Sequence, residues 1–205
     1  MDIQQTETGL VSSELRNFDS LRFDALKKWV KSLDDDIDFL GMQTDSLKLH
    51  IDIFINSCNA ITDYCKFNYL NIKDEATSCN CIMHPMELSK DHHSLINSCE
   101  SINEQAKDLR MNIKSVIDGI FEQTNTSCIE QLRAMHSEVY EFHYGNEVIS
   151  AEELSNLIML CNQKLNRVDK VLDSCKDIKF KLGKGGGNAY NAYSLLVEIL
   201  KNEMR

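Results

Sequence analysis

The chain has 205 residues, with 32 acidic and 22 basic side chains and a formal net charge of −10. Because 42% of the residues are hydrophobic, the composition excludes an intrinsically disordered chain. The acidic excess argues against a nucleic-acid-binding protein, which needs clustered Lys and Arg. One proline and eight glycines are too few for the turns of a sheet protein, so the sequence predicts an all-α fold.

Neither a signal peptide nor a membrane span is expected. The first ten residues, MDIQQTETGL, are polar and acidic, and no apolar stretch approaches the ~20 residues that cross a bilayer. The eight cysteines are therefore expected to be reduced thiols in an intracellular protein of the cytoplasm or nucleus, without a membrane partner.

After a flexible N-terminus at 1–12, residues 13–70 are predicted to form one long coiled-coil helix. Its apolar residues recur with the 3–4 spacing of heptad positions a and d. Row a reads Phe23, Val30, Ile37, Thr44, Ile51, Cys58 and Cys65, and row d reads Leu26, Leu33, Leu40, Leu47, Phe54 and Ile61. β-Branched residues in row a with leucine in row d favour parallel pairing with a partner chain. The broad apolar flank of Trp29, Ile53 and Ile55 also indicates more than one neighbour.

A connector loop and a returning arm are predicted next. Residues 71–87 lack periodicity and contain the single proline, Pro85. Residues 88–144 resume the apolar spacing as a helical arm with a break near residue 125, long enough to fold back on the first helix. We expect this arm to cover part of the first helix and a partner helix to cover the rest, which yields an elongated helical bundle.

Two further helices are predicted at the C-terminal end. Ser150 and Glu153 have the spacing of a capping box, which starts a third helix over residues 150–182. The sequence GKGGG at residues 183–187 is then expected to break the helix and act as a hinge, because glycine has a high ordering entropy. Residues 188–205 form a last amphipathic helix in this prediction, with Tyr190, Tyr193, Leu196 and Ile199 on its apolar side.

Cys79, Cys81 and His84 lie in the predicted connector, close to His92 and His93. Thiolates and imidazoles are zinc ligands, but structural sites usually pair two ligands as C-x2-4-C, whereas this run has C-x-C. We expect an exposed loop without a bound metal. A zinc- or redox-sensing helical regulator that uses these three residues is kept as an alternative.

Other candidate chemistry is weak. The sequence contains no nucleophile elbow, zinc-protease pair or phosphate-binding loop, so neither an enzyme nor a cofactor is predicted. The acidic run at Asp34, Asp35, Asp36 and Asp38 is interpreted as a solvated helix face. Lysines 176, 179, 181 and 184 are interpreted as cations that offset a helix dipole, with binding of an anionic surface as the alternative.

The function predicted from this organisation is a non-enzymatic scaffold subunit of an intracellular multi-protein assembly. Helical rods of this kind are common in kinetochore, spindle-microtubule and tethering complexes. Other helical subunits are the expected partners, in a hetero-oligomer or alternatively a homodimer. A membrane-surface helical adaptor is a further alternative. The residues predicted to bind partners are Leu26, Trp29, Val30, Leu33, Ile37, Leu40, Leu47, Ile51, Phe54, Tyr190, Tyr193, Leu196 and Ile199.

Overall fold

A computed structural model describes residues 22–68, 85–124, 141–144 and 146–203. In chain order the elements are α1 (Phe23–Asn68), α2 (Pro85–Thr124), β1 (Glu141–Tyr144), β2 (Glu147–Ser150) and α3 (Ala151–Glu203). Almost all of the described residues are helical, which confirms the predicted all-α class. The two short strands form an antiparallel hairpin with Glu141 opposite Ser150 and Tyr144 opposite Glu147.

The chain divides into two compact units, and each helix contributes a segment to both. Unit 1 contains the described residues of Met1–Asp38 and Asp108–Asp169. Unit 2 contains those of Phe39–Lys107 and Lys170–Arg205. Each unit is therefore built from three helical segments that are distant in sequence, and unit 1 also holds the hairpin.

The two heptad rows of α1 are buried, as the spacing predicts. One polar side chain, Thr44, sits in row a, and its hydroxyl donates to the carbonyl oxygen of Leu40 at 2.7 Å, so this buried donor is paired. Each fully buried large apolar side chain stabilises the fold by about 1.5–3 kcal/mol. The buried members of the two rows are Phe23, Leu26, Val30, Leu33, Ile37, Leu40, Thr44, Leu47, Ile51, Phe54 and Cys58.

Helices α1 and α3 run parallel within each unit. In unit 2, Asp52 accepts a hydrogen bond from Lys181 at 3.0 Å. Seven residues later on both helices, Asn59 accepts one from Asn188, also at 3.0 Å, so the two helices advance in the same direction. The parallel neighbour that the heptad composition predicts is thus supplied by the same chain. Predicted positions Ile61 and Cys65 lie outside the described side chains.

Helix α2 is antiparallel to α3 in unit 2. The Cys99 thiol lies 3.5 Å from the carbonyl oxygen of Cys175, whereas His92, earlier in α2, contacts the carbonyl of Leu182, later in α3. The direction agrees with a returning arm. Together, α1, α2 and α3 give each unit three helical segments around one apolar core.

The predicted bounds of the first half of the chain need correction. Helix α1 begins at Phe23 in the described part of the chain, and residues 1–21 lie outside it. Helix α2 begins at Pro85, so residues 85–87 belong to this helix and not to a loop. The rest of the predicted connector, and the expected break near residue 125, lie outside the described residues.

The end of the returning arm was also predicted wrongly, because residues 141–144 form a strand. Phe142 and Tyr144 lie two residues apart, and in the hairpin they face Ile149 and Glu147 of the second strand. In the sequence, the dipeptide Gly-Asn stands between the segments EFHY and EVIS, and such a dipeptide between two short segments predicts a hairpin. Local strand pairing therefore replaces the helix expected up to residue 144.

The hairpin contacts the beginning of α1 in unit 1. The Tyr144 ring packs against Phe23 in an edge-to-face arrangement, with 5.7 Å between centroids. The backbone N–H of Phe23 donates to Glu147 Oε2 at 3.1 Å. An N–H of the first helical turn has no partner within its own helix, so the carboxylate both satisfies it and offsets the helix dipole.

The start of α3 confirms the predicted capping box. The backbone N–H of Glu153 donates to Ser150 Oγ at 3.2 Å, and the N–H of Ser150 donates to Glu153 Oε2 at 3.4 Å. The reciprocal pair satisfies two donors at the helix terminus and fixes where α3 begins. Glu153 also forms an ion pair with Lys27 of α1.

The predicted glycine hinge at residues 183–187 is wrong: α3 is one continuous helix from Ala151 to Glu203. A Cβ atom added to Gly185 would lie 2.9 Å from Ile55 Cγ1, and one added to Gly186 would lie 2.8 Å from His92 Nε2. Both separations are shorter than real contacts of a Cβ atom. The glycines thus allow α3 to approach α1 and α2 closely. This packing offsets the cost of placing glycine in a helix, which is about 1 kcal/mol per residue relative to alanine.

Residues 188–203 therefore belong to α3 and not to a separate helix. In their contact with the core of unit 2, Ala192 is buried with Phe54 and Cys58, and Ala189 and Leu195 pack against this cluster. The 3–4 spacing of α3 continues through the glycines in the order Cys175, Ile178, Leu182, Gly185, Ala189 and Ala192.

Candidate functional site

Most of the residues predicted to bind partners are buried inside the chain. Eight of them are at most 6% exposed, so the chain's own helices cover them: Leu26, Val30, Leu33, Ile37, Leu40, Leu47, Ile51 and Phe54. Trp29 is half-buried. The long seam is thus the core of the two units, and the surface available to other molecules lies elsewhere on α1.

The C-terminal candidates differ among themselves. Tyr190 is 69% exposed and takes no part in the core contact made by Ala192. The side chains of Tyr193, Leu196 and Ile199 lie outside the described set. Of the predicted apolar stripe, the one described side chain, Tyr190, is exposed, and the described contact of this segment with the core is made by Ala189, Ala192 and Leu195.

A second apolar stripe lies on the exposed surface of α1 in unit 2. Its side chains are separated by three, seven and four residues, which places them on one helix face. Large apolar side chains that are exposed singly are common, but a row of them along one face is typical of an interaction surface. We call this row the exposed stripe: Phe39 (57% exposed), Met42 (72%), Leu49 (62%) and Ile53 (55%).

The exposed stripe borders an open groove between α1 and α2 of unit 2. One cavity of about 680 Å³ lies between residues 39–50 of α1 and residues 97–105 of α2. A second cavity, of about 440 Å³, lies between residues 47–57 and residues 91–98. Leu47, His50 and Ser98 line both, so the cavities form one continuous groove, which we call the α1–α2 groove.

The two walls of the α1–α2 groove differ in chemistry. The α1 wall carries the large apolar side chains Phe39, Met42 and Ile53 beside polar ones, whereas the α2 wall is formed mainly by small polar side chains. The polar members of the α1 wall are Gln43, Ser46, His50 and Ser57. Asp91 lines one end, and no lysine or arginine lines either cavity among the described residues. The apolar wall can bury a side chain, and the polar wall can donate and accept hydrogen bonds. The polar members of the α2 wall are Ser94, Asn97, Ser98, Ser101 and Gln105.

The acidic run at residues 34–38, which the sequence predicts to be a solvated helix face, contacts α3 in unit 1 through two of its carboxylates. Asp34 forms ion pairs with both Lys164 and Arg167, and Asp38 forms one with Arg167. The Lys164 side chain is only 4% exposed. The hydrogen bond from Lys164, with support from Arg167, lowers the pKa of Asp34 below its ordinary value. These residues therefore hold α1 and α3 together in unit 1.

The lysine tract of α3 is engaged in contacts within the chain. Lys181 pairs with Asp52 and Lys179 with Glu100, while Lys176 pairs with Asp173 on its own helix. Lys184 lies over the Phe180 ring at 4.4 Å from the centroid. Two of the four cations therefore connect α3 to the other helices of unit 2.

Four cysteines of the core are unpaired thiols, as their places on the apolar seams predict: Cys58, Cys99, Cys161 and Cys175. Burial raises the pKa of Cys161 to about 12 and that of Cys175 to about 11. A thiol that stays protonated is a poor nucleophile and a poor metal ligand, so these residues behave as small apolar side chains.

Cys79, Cys81 and His84 lie outside the described residues, whereas His92 lies in the core contact of unit 2. Its Nε2 atom is 3.2 Å from the carbonyl oxygen of Leu182, and its ring lies 5.7 Å from that of Phe54. Among the residues that the structure describes, no three side chains of His, Cys, Asp or Glu lie close enough to hold a metal ion. None of the three helices, over its described length, is apolar enough to span a bilayer.

Comparison with known proteins adds no relative. No protein-family model matches the chain, and neither a curated protein nor a solved structure is significantly similar to it. The function is therefore inferred from the exposed stripe and the α1–α2 groove. The exposed stripe could have been sought in the sequence, because Phe39, Met42, Leu49 and Ile53 recur at steps of three, seven and four residues adjacent to the heptad rows.

Proposed function

We propose that this protein is a non-enzymatic scaffold subunit of an intracellular multi-protein assembly and that it works through helix–helix contacts. Assemblies of the kinetochore, spindle-microtubule or tethering type are the class proposed. The single observation that carries the proposal is the exposed stripe of Phe39, Met42, Leu49 and Ile53 along the open α1–α2 groove. Exposed apolar area of this kind favours burial against another protein.

Two further observations support this proposal. The groove is a long open channel between two helices, the form in which amphipathic helices are bound by other proteins. The four buried thiols of the described core are unpaired, which suits a reducing compartment. Partners are then other helical subunits, which cover the exposed stripe when the assembly forms.

Affinity purification of the tagged full-length chain from its native organism tests this function. The wild type is compared with Met42→Asp, which places a charge on the exposed stripe, and with Met111→Asp, which does so at an exposed methionine of unit 1. We expect the wild type and the Met111 variant to retain the same partner proteins in fixed proportion and the Met42 variant to lose them. Purification of the wild type without any stoichiometric partner would contradict the proposal.

A further inference from the structure

We propose that residues 183–203 of α3 form a C-terminal flap, which opens away from α1 and α2 when the helix unwinds at the glycines of residues 183–187. In the closed state the C-terminal flap is part of the continuous helix, and it covers apolar surface next to the α1–α2 groove. This movement takes place within unit 2 and does not depend on which proteins bind the chain. The glycine content, the contacts of the flap and the surface beneath it all favour such an opening.

The glycine segment is the weakest stretch of α3 in helix propensity. Four of its five residues are glycine, which is the least favourable residue in a helix after proline. A Cβ atom added to Gly183 or Gly187 would meet no heavy atom within 4 Å, so neither position gains close packing that offsets this cost. Kinks in helices form at glycine, and we therefore expect α3 to unwind at this segment before any other.

Two neighbouring side chains keep the glycine segment helical in the closed state. Ile55 of α1 lies close to Gly185, and the His92 ring of α2 lies close to Gly186. The Nε2 atom of His92 also donates to the carbonyl oxygen of Leu182 at 3.2 Å, because a carbonyl oxygen only accepts. The hydrogen bond to Leu182 anchors the part of α3 before the glycines, whereas the contacts with Gly185 and Gly186 are lost when the C-terminal flap opens.

The part of α3 that precedes the glycines is held more firmly than the C-terminal flap. Val171, Ile178 and Leu182 are at most 7% exposed, and burial of large apolar side chains is strongly stabilising. Among the described residues of the flap beyond the glycines, only Ala192 is buried, and an alanine removes much less apolar area from water. Local opening begins where few apolar contacts are buried. The flap is therefore expected to open while residues 170–182 stay packed.

The C-terminal flap covers apolar surface that continues the α1–α2 groove. Ala192 is buried with Phe54 and Cys58, and Leu95 packs against the same cluster. Phe54 and Leu95 also line the second cavity of the groove. Opening of the flap therefore exposes the Cys58 thiol and extends the apolar surface of the groove, so the position of the flap sets how much of that surface is accessible.

Cysteine labelling tests the opening with the full-length chain. Cys58 lies under the C-terminal flap, whereas Cys175 lies in the same unit before the glycines, and both are buried free thiols. The folded chain is treated with N-ethylmaleimide, and peptide mass spectrometry measures the modification of each cysteine over time. We expect Cys58 to be modified at least about tenfold faster than Cys175, because opening of the flap exposes only the former.

Alanine variants show whether the flap opens at the glycines. One double variant combines Gly183→Ala with Gly187→Ala, which strengthens the helix at two open positions. The matched control combines Gly41→Ala with Gly119→Ala, which does the same in α1 and α2, where an added Cβ atom also meets no heavy atom within 4 Å. A gain of this kind shifts an equilibrium about 5–30-fold. We expect the first variant to lower the ratio of the two labelling rates at least about fivefold and the control to leave it unchanged.

Histidine variants test the contact that holds the C-terminal flap. His92→Ala removes the ring beside Gly186, and His93→Ala removes an exposed ring at the next position. We expect the first to accelerate the modification of Cys58 at least about threefold relative to that of Cys175, and the second to leave both rates unchanged. Circular dichroism verifies that both variants are folded.

Three results would overturn the inference. Equal labelling rates of Cys58 and Cys175 in the wild type would show that one opening of unit 2 exposes both thiols. Faster labelling of Cys58 that alanine at positions 183 and 187 leaves unchanged would assign its exposure to fraying of a helix end. An unchanged ratio of the two rates in His92→Ala would show that this side chain does not hold the C-terminal flap.

Discussion

Units 1 and 2 join α3 to α1 by different chemistry. In unit 1 the contact is electrostatic, with Lys164 and Arg167 on the carboxylates of Asp34 and Asp38. In unit 2 the ion pair between the same two helices, Lys181 with Asp52, is exposed, and the contact depends on the close approach of Gly185 to Ile55. An ion pair is directional and depends on pH and salt, whereas steric fit depends on neither. One helix therefore uses two means of holding the same neighbour, and each can be broken independently.

The largest expected effect is that of Asp34→Asn in unit 1. Without this carboxylate, the ammonium group of Lys164 stays buried with less compensation, which should lower the free energy of unfolding by about 2–3 kcal/mol. Urea denaturation followed by circular dichroism measures it. The control is Asp45→Asn, which removes an exposed pair with Lys48 and should cost less than about 0.5 kcal/mol. Equal losses in the two variants would contradict the role of burial.

The next effect is that of Gly185→Ala in unit 2. The added Cβ atom would lie 2.9 Å from Ile55 Cγ1, so α3 or Ile55 must move. Overpacking of this kind costs about 1–3 kcal/mol, from which the better helix propensity of alanine recovers about 1 kcal/mol. We expect a lower melting temperature, restored in part by Ile55→Ala in the same chain. A higher melting temperature of the single variant would show that the close approach is not required.

Glycines on the open side of the same helix should respond in the opposite direction. A Cβ atom added to Gly183 or Gly187 has no heavy atom within 4 Å of it. Alanine at either position is therefore expected to raise the free energy of unfolding by about 0.5–1 kcal/mol, through helix propensity alone. Thermal denaturation of both variants checks this expectation: the melting temperature should rise for Gly187→Ala and fall for Gly185→Ala, although the two positions are only two residues apart.

The smallest effect concerns pH and is specific to the electrostatic contact. Ion pairing lowers the pKa of Asp34 in the folded state, so the unfolded state binds the proton first as the pH falls. Its contribution to stability is complete above the ordinary pKa near 3.8 and is lost as the pH decreases through the folded value. The difference in urea midpoint between wild type and Asp34→Asn should therefore shrink between pH 6 and pH 3, whereas the difference for Gly185→Ala should persist.

The features predicted correctly from the sequence depend on local spacing. The two rows of α1 repeat every seven residues, and burial follows from that period alone. The capping box of Ser150 and Glu153 lies within four consecutive residues, so it can also be predicted from the local sequence. Gly145–Asn146 also carried a local signal, but the surrounding residues were read with a helical period instead of the alternation of a strand.

The features that were missed depend on neighbours distant in sequence. Glycine favours a break in an isolated helix, and only the positions of Ile55 and His92 explain why Gly185 and Gly186 remain helical. The pairing of Asp34 with Lys164 likewise joins residues 130 positions apart, so spacing along one helix cannot show it. The exposed stripe had a readable period, but only the packed helices reveal which of two adjacent stripes is covered.

The parallel pairing of α1 and α3 has a consequence for folding kinetics. Its contacts join residues separated by 129 positions, as in Asp38 with Arg167, Asp52 with Lys181 and Asn59 with Asn188. Helical proteins with local contacts fold in microseconds to milliseconds, and contacts this distant slow the search. At about 5–20 residues per second, a ribosome needs roughly 6–26 s to add 129 residues. During that interval α3 is not yet available to cover the apolar rows of α1, so we expect the nascent chain to expose apolar surface for several seconds.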